Sequence, residues 1–371
     1  MRCFKLTYVK LLNAFGYIFS GTCFVLVEKT SLVFMLLLFN LNAVQSNEVD
    51  LFLGQILVNE SIINSRQIKI PEYPNAYNPS IIPYKSGFLL SFRYVSRCPE
   101  KFKGNFRTDV SFIGIVKLDK NFKVVEKSVQ LLNVLSSSSK FSLSAEDARL
   151  FNISDRIFIV FNDLPVSEAP NEFAMYFGEI IEEQGSFILK APAKPFQYFD
   201  ARSVEKNWSP FVSENKLYVI YSDQLRIILE VDVNTGSCRE VARQHGNYNW
   251  SLGTIRGGTP ACLVNDVFLT VFHSSFPVNT SKGKAYVMGA YTFDKDPPFS
   301  IQSMTFSPIG DLKDYIYDNP SKIVFPGGLV VQDSLIHVAW GKADKQIFIT
   351  TFDREKFLAS LQTQWKSSCT R

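Results

Sequence analysis

A short sequence pattern recurs five times along this chain of 371 residues. Each copy has a small or polar start, an apolar triplet, a turn, and an alternating apolar strand that ends in an aromatic residue followed by polar ones. The copies begin at Asn78, Glu146, Asn207, Gly258 and Phe325. Spacings of about 50 to 70 residues exceed a solenoid repeat and suit a four-stranded blade with long loops. The pattern therefore predicts a five-bladed β-propeller.

The aromatic composition supports an all-β fold. The chain holds 33 Phe and 15 Tyr, and both residue types are favoured in half-buried strands. Residues 47–371 are long enough to bury one extensive core. We therefore expect one propeller domain over residues 47–371, behind an apolar leader at residues 1–46. In a propeller the first strands of all blades meet at one axial funnel, so residues distant in sequence converge there.

The leader contains two apolar stretches, Leu11–Val27 and Leu32–Val44, separated by charged residues. The second stretch follows Lys29 and ends in small residues, which resembles the three parts of a secretory signal. Both stretches fall short of the roughly 20 apolar residues that span a membrane. We expect a signal peptide and a secreted or periplasmic protein; the alternative is a retained N-terminal membrane anchor.

The net charge of +4 at pH 7 does not indicate a nucleic-acid partner. The leader carries four basic residues and one acidic residue, so the remaining domain has a net charge of only +1. Neutralising the phosphates of a nucleic acid requires a broad positive surface. We therefore expect no nucleic-acid binding.

Cysteine and histidine usage indicates neither a metal site nor another cofactor. Outside the leader, Cys98, Cys238, Cys262 and Cys369 are irregularly spaced and allow up to two disulfides in an oxidising compartment. The chain has three His, none of them spaced as a ligand pair.

Charged residues border the repeated pattern at the strand ends that face the expected funnel. They include cations and carboxylates, which together suit a polyhydroxylated ligand beside an anion, because carboxylates accept bonds from hydroxyls and cations hold phosphate. Trp208 and Trp340 lie next to these charges and offer apolar faces for a sugar ring. The alternative is that the charges only pair with one another across blades.

Six segments in order resemble the β-mannoside phosphorylases and β-mannosidases of glycoside hydrolase family 130. The resemblance covers about Asn78 to Thr350. The segments are N-P-S-I-I…F-R-Y, E-D-A-R, E-K-N-W-S-P-F, G-G-T-P…V-F-H-S, Y-V-M-G-A-Y-T-F-D-K-D-P-P and V-F-P-G-G…W-G-K-A-D. Members of that family are five-bladed propellers with a central site, which agrees with the repeat count.

The resemblance implies roles for individual residues. The general acid falls on Asp147, and inorganic phosphate, as a possible co-substrate, falls to Arg93, Lys206 and His273. The substrate-binding candidates are Asn78, Glu146, Arg149, Trp208 and Asp344.

The implied chemistry is cleavage or transfer of β-linked mannosides on an oligosaccharide or glycan partner. An acid must protonate the leaving oxygen while a nucleophile arrives from the opposite face of the sugar ring. Retention of three cation-type residues favours phosphate as the nucleophile, whereas an exported protein favours hydrolysis or transfer. A noncatalytic glycan-binding propeller is the alternative from another class.

The sequence departs from the family pattern at several points. E-D-P-R has become E-D-A-R and Y-H-G has become F-H-S. A second phosphate-binding arginine falls on Arg202 or Arg256, and a further family acid falls on Asp311, Asp314 or Asp318. A distant subfamily with an altered reaction is consistent with these changes.

The C-terminal stretch Phe352–Trp365 has Phe357, Leu358 and Leu361 at helical spacing. We expect a short terminal helix that packs on the propeller.

Overall fold

The computed structural model describes residues 60–97, 110–134, 144–163, 172–222, 226–244, 250–277, 284–310 and 323–363. They fall within one compact unit and form antiparallel sheets with one short helix. The predicted leader, Cys98, Cys369 and the three competing carboxylates at 311, 314 and 318 lie outside the described residues.

The described strands form five sheets, each a blade of at least four strands. Blade 1 contains β2 (Tyr77–Tyr84), β3 (Gly87–Arg97), β4 (Val110–Leu118) and β5 (Gln130–Leu132). Blade 2 contains β6 (Glu146–Ile153), β7 (Arg156–Asp163), β8 (Ala174–Glu183), β9 (Ser186–Leu189) and β10 (Lys194–Pro195). Blade 3 contains β11 (Ser209–Ser213), β12 (Lys216–Ser222), β13 (Ile227–Val231) and β14 (Cys238–Arg243).

The last two blades depart from simple chain order. Blade 4 contains β15 (Thr254–Arg256), β16 (Cys262–Val264), β17 (Val267–Pro277), β18 (Lys284–Asp294), β19 (Ile301–Thr305) and β23 (Leu361–Thr363). Blade 5 contains β20 (Val324–Gln332), β21 (Leu335–Lys342), β22 (Gln346–Asp353) and β1 (Ile62–Ile68). The first described strand therefore completes the last blade, with Asn64 paired to Thr351.

The inner strands of the five blades meet in a ring. β2 contacts β6 and β20, β6 contacts β11, and β16 contacts β20. The Ala261 amide donates to the Pro210 carbonyl at 3.0 Å and links blades 3 and 4. These contacts close the circle and confirm the five-bladed propeller expected from the repeats.

Apolar clusters fill the spaces between neighbouring blades. Leu89 of blade 1, for example, packs in one cluster with Leu150 and Ile159 of blade 2, and all three are 0% exposed. Comparable clusters join blades 2 and 3, blades 3 and 4, and blades 5 and 1. Full burial of each such side chain contributes about 1.5 to 3 kcal/mol. The alternating strand pattern thus holds the blades face to face.

The terminal helix is shorter than its prediction. Helix α1 spans Arg354–Ala359, begins where the Asp353 side chain accepts from the Lys356 amide at 2.9 Å, and packs Phe357 on Phe352. The prediction was wrong for Leu361, because this residue opens β23, which pairs with β19 in blade 4. Trp365 lies outside the described residues.

Two further observations concern membrane-spanning helices and the state of two cysteines. Within the described part of the chain, no helix combines the length and apolarity needed to cross a bilayer. Cys238 and Cys262 carry free thiols, and burial raises the pKa of each to about 12.

Candidate functional site

One register position in the blades carries the predicted site residues. At the start of the inner strand, Tyr77 pairs with Arg93 and Glu146 pairs with Asn162. The matching pairs in blades 4 and 5 are Arg256 with His273 and Phe325 with Gly341. Because every pair lies at the same end of its inner strand, side chains from different blades meet near the axis.

Irregular strand pairing positions two of the side chains. The register shifts between Tyr77 and Ser80 in blade 1, and between Glu146 and Arg149 in blade 2. Within these bulges Asn78 has φ 46° and Asp147 has φ 54°. Asn and Asp tolerate this left-handed conformation better than other side chains do, and bulges commonly redirect side chains beside functional sites.

The bulges bring together a group that we call the axial cluster. Its members come from blades 1 and 2 and from the segment that connects blades 2 and 3 and, except for Lys206, are buried. They are Asn78, Arg93, Glu146, Asp147, Asn162 and Lys206.

Asp147 is held by neighbours that favour its ionised form. The Asn78 Nδ2 donates to its Oδ1 at 2.8 Å, and the Arg93 Nη1 lies 3.5 Å from the same oxygen. Burial alone would raise the pKa of Asp147, but Arg93, the Asn78 hydrogen bond and Arg149 outweigh it and lower the pKa. Asp147 is therefore a carboxylate at neutral pH in the resting protein.

Glu146 binds two of the three predicted phosphate ligands. Its Oε1 accepts from the Arg93 Nη2 at 2.7 Å, and its Oε2 accepts from the Lys206 Nζ at 2.8 Å. The Asn162 Nδ2 donates to that same Oε2 at 3.1 Å. The Glu146 carboxylate thus offsets the positive charge of Arg93 and Lys206, which were predicted to bind phosphate. The sequence did not indicate this pairing.

Arg149 holds the backbone around the axial cluster through hydrogen bonds. It is 0% exposed, and it donates to the Gly258 carbonyl at 2.6 Å and to the Asp147 carbonyl at 3.0 Å. Its Nη2 lies 3.4 Å from the Asn207 Oδ1. Arg149 therefore links blade 2 to blade 4 and to the segment before blade 3, while its substrate contact stays a prediction.

His273 lies beside the axial cluster but carries no charge at neutral pH. It is 4% exposed, and burial, followed by the positive charges of Arg149 and Arg256, lowers its pKa to about 3. Asp147 acts in the opposite direction on the same pKa. The imidazole can therefore bind an anion through a hydrogen bond, not through an opposite charge.

Three buried polar atoms near the axis have no hydrogen-bond partner among the described residues: the Asn78 Oδ1, the Asn162 Oδ1 and the His273 Nδ1. Both amides are oriented by carboxylates, which accept the Nδ2 hydrogens and leave the oxygens as acceptors. A buried acceptor without a donor is costly. Asn78 and Asn162 thus fit a ligand that donates hydrogen bonds, as sugar hydroxyls do.

Asp344 borders the axial cluster, whereas the two predicted stacking platforms do not. Asp344 is half-buried and raises the pKa of Arg93 and of Tyr77. Trp208 is 1% exposed and its Nε1 donates to Glu205, and Trp340 is 0% exposed. The stacking prediction is wrong because both indoles point into the apolar core.

The two candidates for a second phosphate-binding arginine separate clearly. Arg256 pairs in register with His273 and lowers its pKa. Arg202 has a side chain that is 66% exposed and lies 3.7 Å from Glu205. Arg256 is therefore the candidate that the structure places beside the predicted phosphate residues.

Sequence reasoning gave Asn162 and Gly341 no role in the site. Asn162 is 0% exposed and orients Glu146. A Cβ added to Gly341 would lie 2.4 Å from the Asn78 Oδ1, so the absence of a side chain there makes room for Asn78. Aligning the second strands of the repeats would have identified both, since they share the register position of Arg93 and His273.

No metal site was predicted. Among the described residues, no group of three or more His, Cys, Asp or Glu is arranged to hold a metal ion.

No family model matches the chain. A segment of 60 residues is 40% identical to beta-mannosyltransferase 3 of Candida albicans. This segment is 16% of the chain and 11% of that relative's length.

Solved structures match over most of the chain. The mannose phosphorylase MPT-4 from Leishmania mexicana, in complex with a phosphate ion, has a TM-score of 0.58 and 14% identity over 86% of this chain and 96% of its own. The β-1,2-mannobiose phosphorylase from Listeria innocua, in complex with β-1,2-mannobiose, has a TM-score of 0.53 and 16% identity over 80% of this chain and 93% of its own. The chain has the propeller fold of these phosphorylases. A third match is a structure from the family 130 mannoside phosphorylases, which contain glycoside hydrolases that target β-1,2 mannosidic linkages in Candida mannan. It has a TM-score of 0.52 and 11% identity over 81% of this chain and 93% of its own.

Proposed function

We propose that this chain is an enzyme that cleaves or transfers β-linked mannosides at the axial cluster. The observation that carries the proposal is the meeting of Asp147 with Arg93, Glu146 and Lys206, from two blades and the segment before the third, beside unpartnered amide oxygens. Carboxylates and amides of this kind bind sugar hydroxyls, and a buried carboxylate beside them can exchange a proton with the substrate. The matched phosphorylases and hydrolases support mannosides as the substrate class.

Asp147 handles the proton in this mechanism. Its lowered pKa makes it a base in the resting protein, so in the direction of synthesis it takes the proton of the attacking hydroxyl. In cleavage Asp147 first takes up a proton from solvent and then gives it to the leaving oxygen, through a mannose hydroxyl as the family resemblance implies. Substrate hydroxyls that replace Asn78 as the partner of Asp147 would assist this exchange.

The nucleophile in cleavage is inorganic phosphate or a hydroxyl group. Phosphate is supported by a matched phosphorylase that binds this ion and by the register pairing of Arg256 with His273, two residues predicted to bind phosphate. A sugar hydroxyl is supported by the segment shared with a mannosyltransferase and by the pairing of Arg93 and Lys206 with Glu146. We rank phosphate first and transfer to a hydroxyl second.

A noncatalytic glycan-binding propeller is the second candidate function. It is favoured by the ion pairs that satisfy Glu146 and Asp147 without a ligand, because such a network can persist after catalysis is lost. The enzyme and the binding protein differ in turnover alone.

Incubation with β-1,2-mannobiose, with and without inorganic phosphate, tests the proposal. Wild type should release mannose 1-phosphate only with phosphate, and Asp147→Asn should lose this release. The exposed Asp155→Asn, on the same blade, is the matched control and should keep it. Phosphate-independent mannose would indicate hydrolysis, longer oligosaccharides would indicate transfer, and absence of turnover by wild type would contradict the enzyme proposal.

We also propose that residues 1–46 direct export, with membrane anchoring as the alternative. The support is the charge, apolar and small-residue order of the sequence. N-terminal sequencing of protein recovered from the medium tests this: a start near residue 47 supports export with cleavage, and an intact N-terminus in the membrane fraction supports the anchor.

A further inference from the structure

A basic groove runs along the seam between blades 5 and 1, far from the axial cluster. It consists of two cavities, of about 510 Å³ and 370 Å³, that share Arg66 and Phe122 in their walls. Cavities of this size accommodate small ligands. The groove lies near the Tyr84 end of β2, whereas the axial cluster lies at its Tyr77 end, roughly 23 Å away at about 3.3 Å per residue. One small ligand therefore cannot occupy both places.

Positive charge is concentrated in this groove although the propeller domain is nearly neutral. One carboxylate, Asp333, lines it, and the Glu182 carboxylate pairs with Lys85 from outside at 2.6 Å. The cationic side chains that line the groove are Arg66, Lys69, Lys85, Lys120 and Lys123. Cations on one edge of a low-dielectric cleft attract anionic ligands.

The floor of the larger cavity is neutral and ordered. His337 is 6% exposed, its Nδ1 lies 3.0 Å from the Thr351 Oγ1, and its ring lies 5.0 Å from that of Phe122. Burial lowers the pKa of His337 to about 4. The attraction for an anion therefore comes from the rim, while the floor offers an uncharged surface.

Uncharged polar groups stand beside the cations. Asn64, Asn121 and Gln332 are exposed and line the larger cavity. Side-chain amides both donate to and accept from hydroxyl groups. Arg66 is positioned by a hydrogen bond from its Nη1 to the Asn121 carbonyl. The groove thus combines donors for an anion with amides for hydroxyls.

We propose that this groove is an accessory binding site for an anionic saccharide, such as a sugar phosphate or a phosphorylated oligosaccharide. The site is separate from the axial cluster, and its occupation does not depend on the proposed reaction. Because β1, the β2–β3 hairpin and the β20–β21 hairpin all line it, a bound ligand connects the first and last blades.

Isothermal titration calorimetry with mannose 6-phosphate as the probe tests this site. Arg66→Ala/Lys120→Ala should weaken binding at least about tenfold, and raising the salt concentration should weaken wild-type binding, because the Debye length shortens. Lys284→Ala/Lys356→Ala removes two exposed cations elsewhere and is the matched control, which should bind as wild type does. Lys120→Glu retains the Arg66 hydrogen bond and repeats the test if the double variant is unstable.

Three further probes separate the alternatives. Mannose and inorganic phosphate should each bind at least about tenfold more weakly than mannose 6-phosphate. Inorganic phosphate that binds as tightly as mannose 6-phosphate and loses this binding in the groove variants would reduce the groove to an anion site and contradict the saccharide proposal. Mannose 6-phosphate binding that survives both groove variants, or groove-dependent binding of a short RNA without binding of the sugar phosphate, would also overturn it.

Discussion

Gly341→Ala should disable the axial cluster without touching any of its charges. The new Cβ would lie 2.4 Å from the Asn78 Oδ1, 2.7 Å from the Asn78 backbone nitrogen and 3.1 Å from its Cα. Two of these atoms belong to the backbone, so rotation of the Asn78 side chain alone cannot relieve the clash. Overpacking of this kind costs about 1 to 3 kcal/mol of the free energy of unfolding.

The displaced Asn78 would also lose its 2.8 Å hydrogen bond to Asp147. Because the displaced Asn78 would no longer position Asp147 or offer its Oδ1 to the substrate, turnover of β-1,2-mannobiose should fall at least about tenfold. Because the hydrogen bond from Asn78 lowers the pKa of Asp147, its loss should raise that pKa. Asp147 donates the proton in cleavage, so the alkaline limb of the kcat/KM profile should shift towards higher pH.

Urea denaturation and the pH dependence of kcat/KM measure the two effects. Gly178→Ala is the matched control, since its nearest contact is the flexible tip of Leu189 at 3.0 Å; it should change stability by less than about 1 kcal/mol and leave turnover intact. Gly341→Ala with wild-type turnover and an unshifted pH profile would refute the role given to Asn78.

Three further outcomes are expected. The pKa of His273 is about 3 in the folded protein against an ordinary value of 6.5, so as the pH falls the unfolded state takes up a proton before the folded state does. Below pH 6.5 wild type should therefore lose up to about 1.4 kcal/mol of its free energy of unfolding per pH unit relative to His273→Asn. A difference between the two proteins that stays constant across this range in urea denaturation would contradict the burial of the imidazole. Lys206→Ala should change the free energy of unfolding by less than about 1 kcal/mol, since the Lys206 side chain is 35% exposed. The same variant should reduce phosphate-dependent kcat/KM at least about tenfold. A kcat/KM equal to that of wild type would exclude Lys206 from the reaction. Cys238 and Cys262 are half-buried and should react slowly with Ellman's reagent in the native protein, because burial raises the pKa of both thiols to about 12. Labelling of either one in the native protein as fast as after unfolding would contradict this.

The sequence predicted the blades because each inner strand repeats its own local pattern. It also predicted that Asp147 and Arg93 would meet, and they lie 3.5 Å apart. The pairing of β1 with β22 was not predictable in this way, since it joins residues near opposite ends of the propeller and depends on ring closure.

What the sequence did not reveal about the site depends on backbone direction, strand register and distances between segments. Trp208 follows Asn207, whose φ of 64° turns the chain, so the indole enters the core beside Phe196 instead of facing the axis. Asn162 and Gly341 share the register position of Arg93 and His273, which is visible only when the second strands of the repeats are aligned. The substrate contact of Glu146 stays a prediction. Its ion pairs with Arg93 and Lys206 were not predicted, because they depend on the distances between parts of the chain that are far apart in sequence.

A crystal structure with bound β-1,2-mannobiose tests the central claim most directly. The account predicts a mannose unit between Asp147 and the amide oxygens of Asn78 and Asn162, with hydroxyl groups within hydrogen-bond distance of each. A disaccharide bound only elsewhere on the propeller, with the axial cluster unchanged, would contradict it.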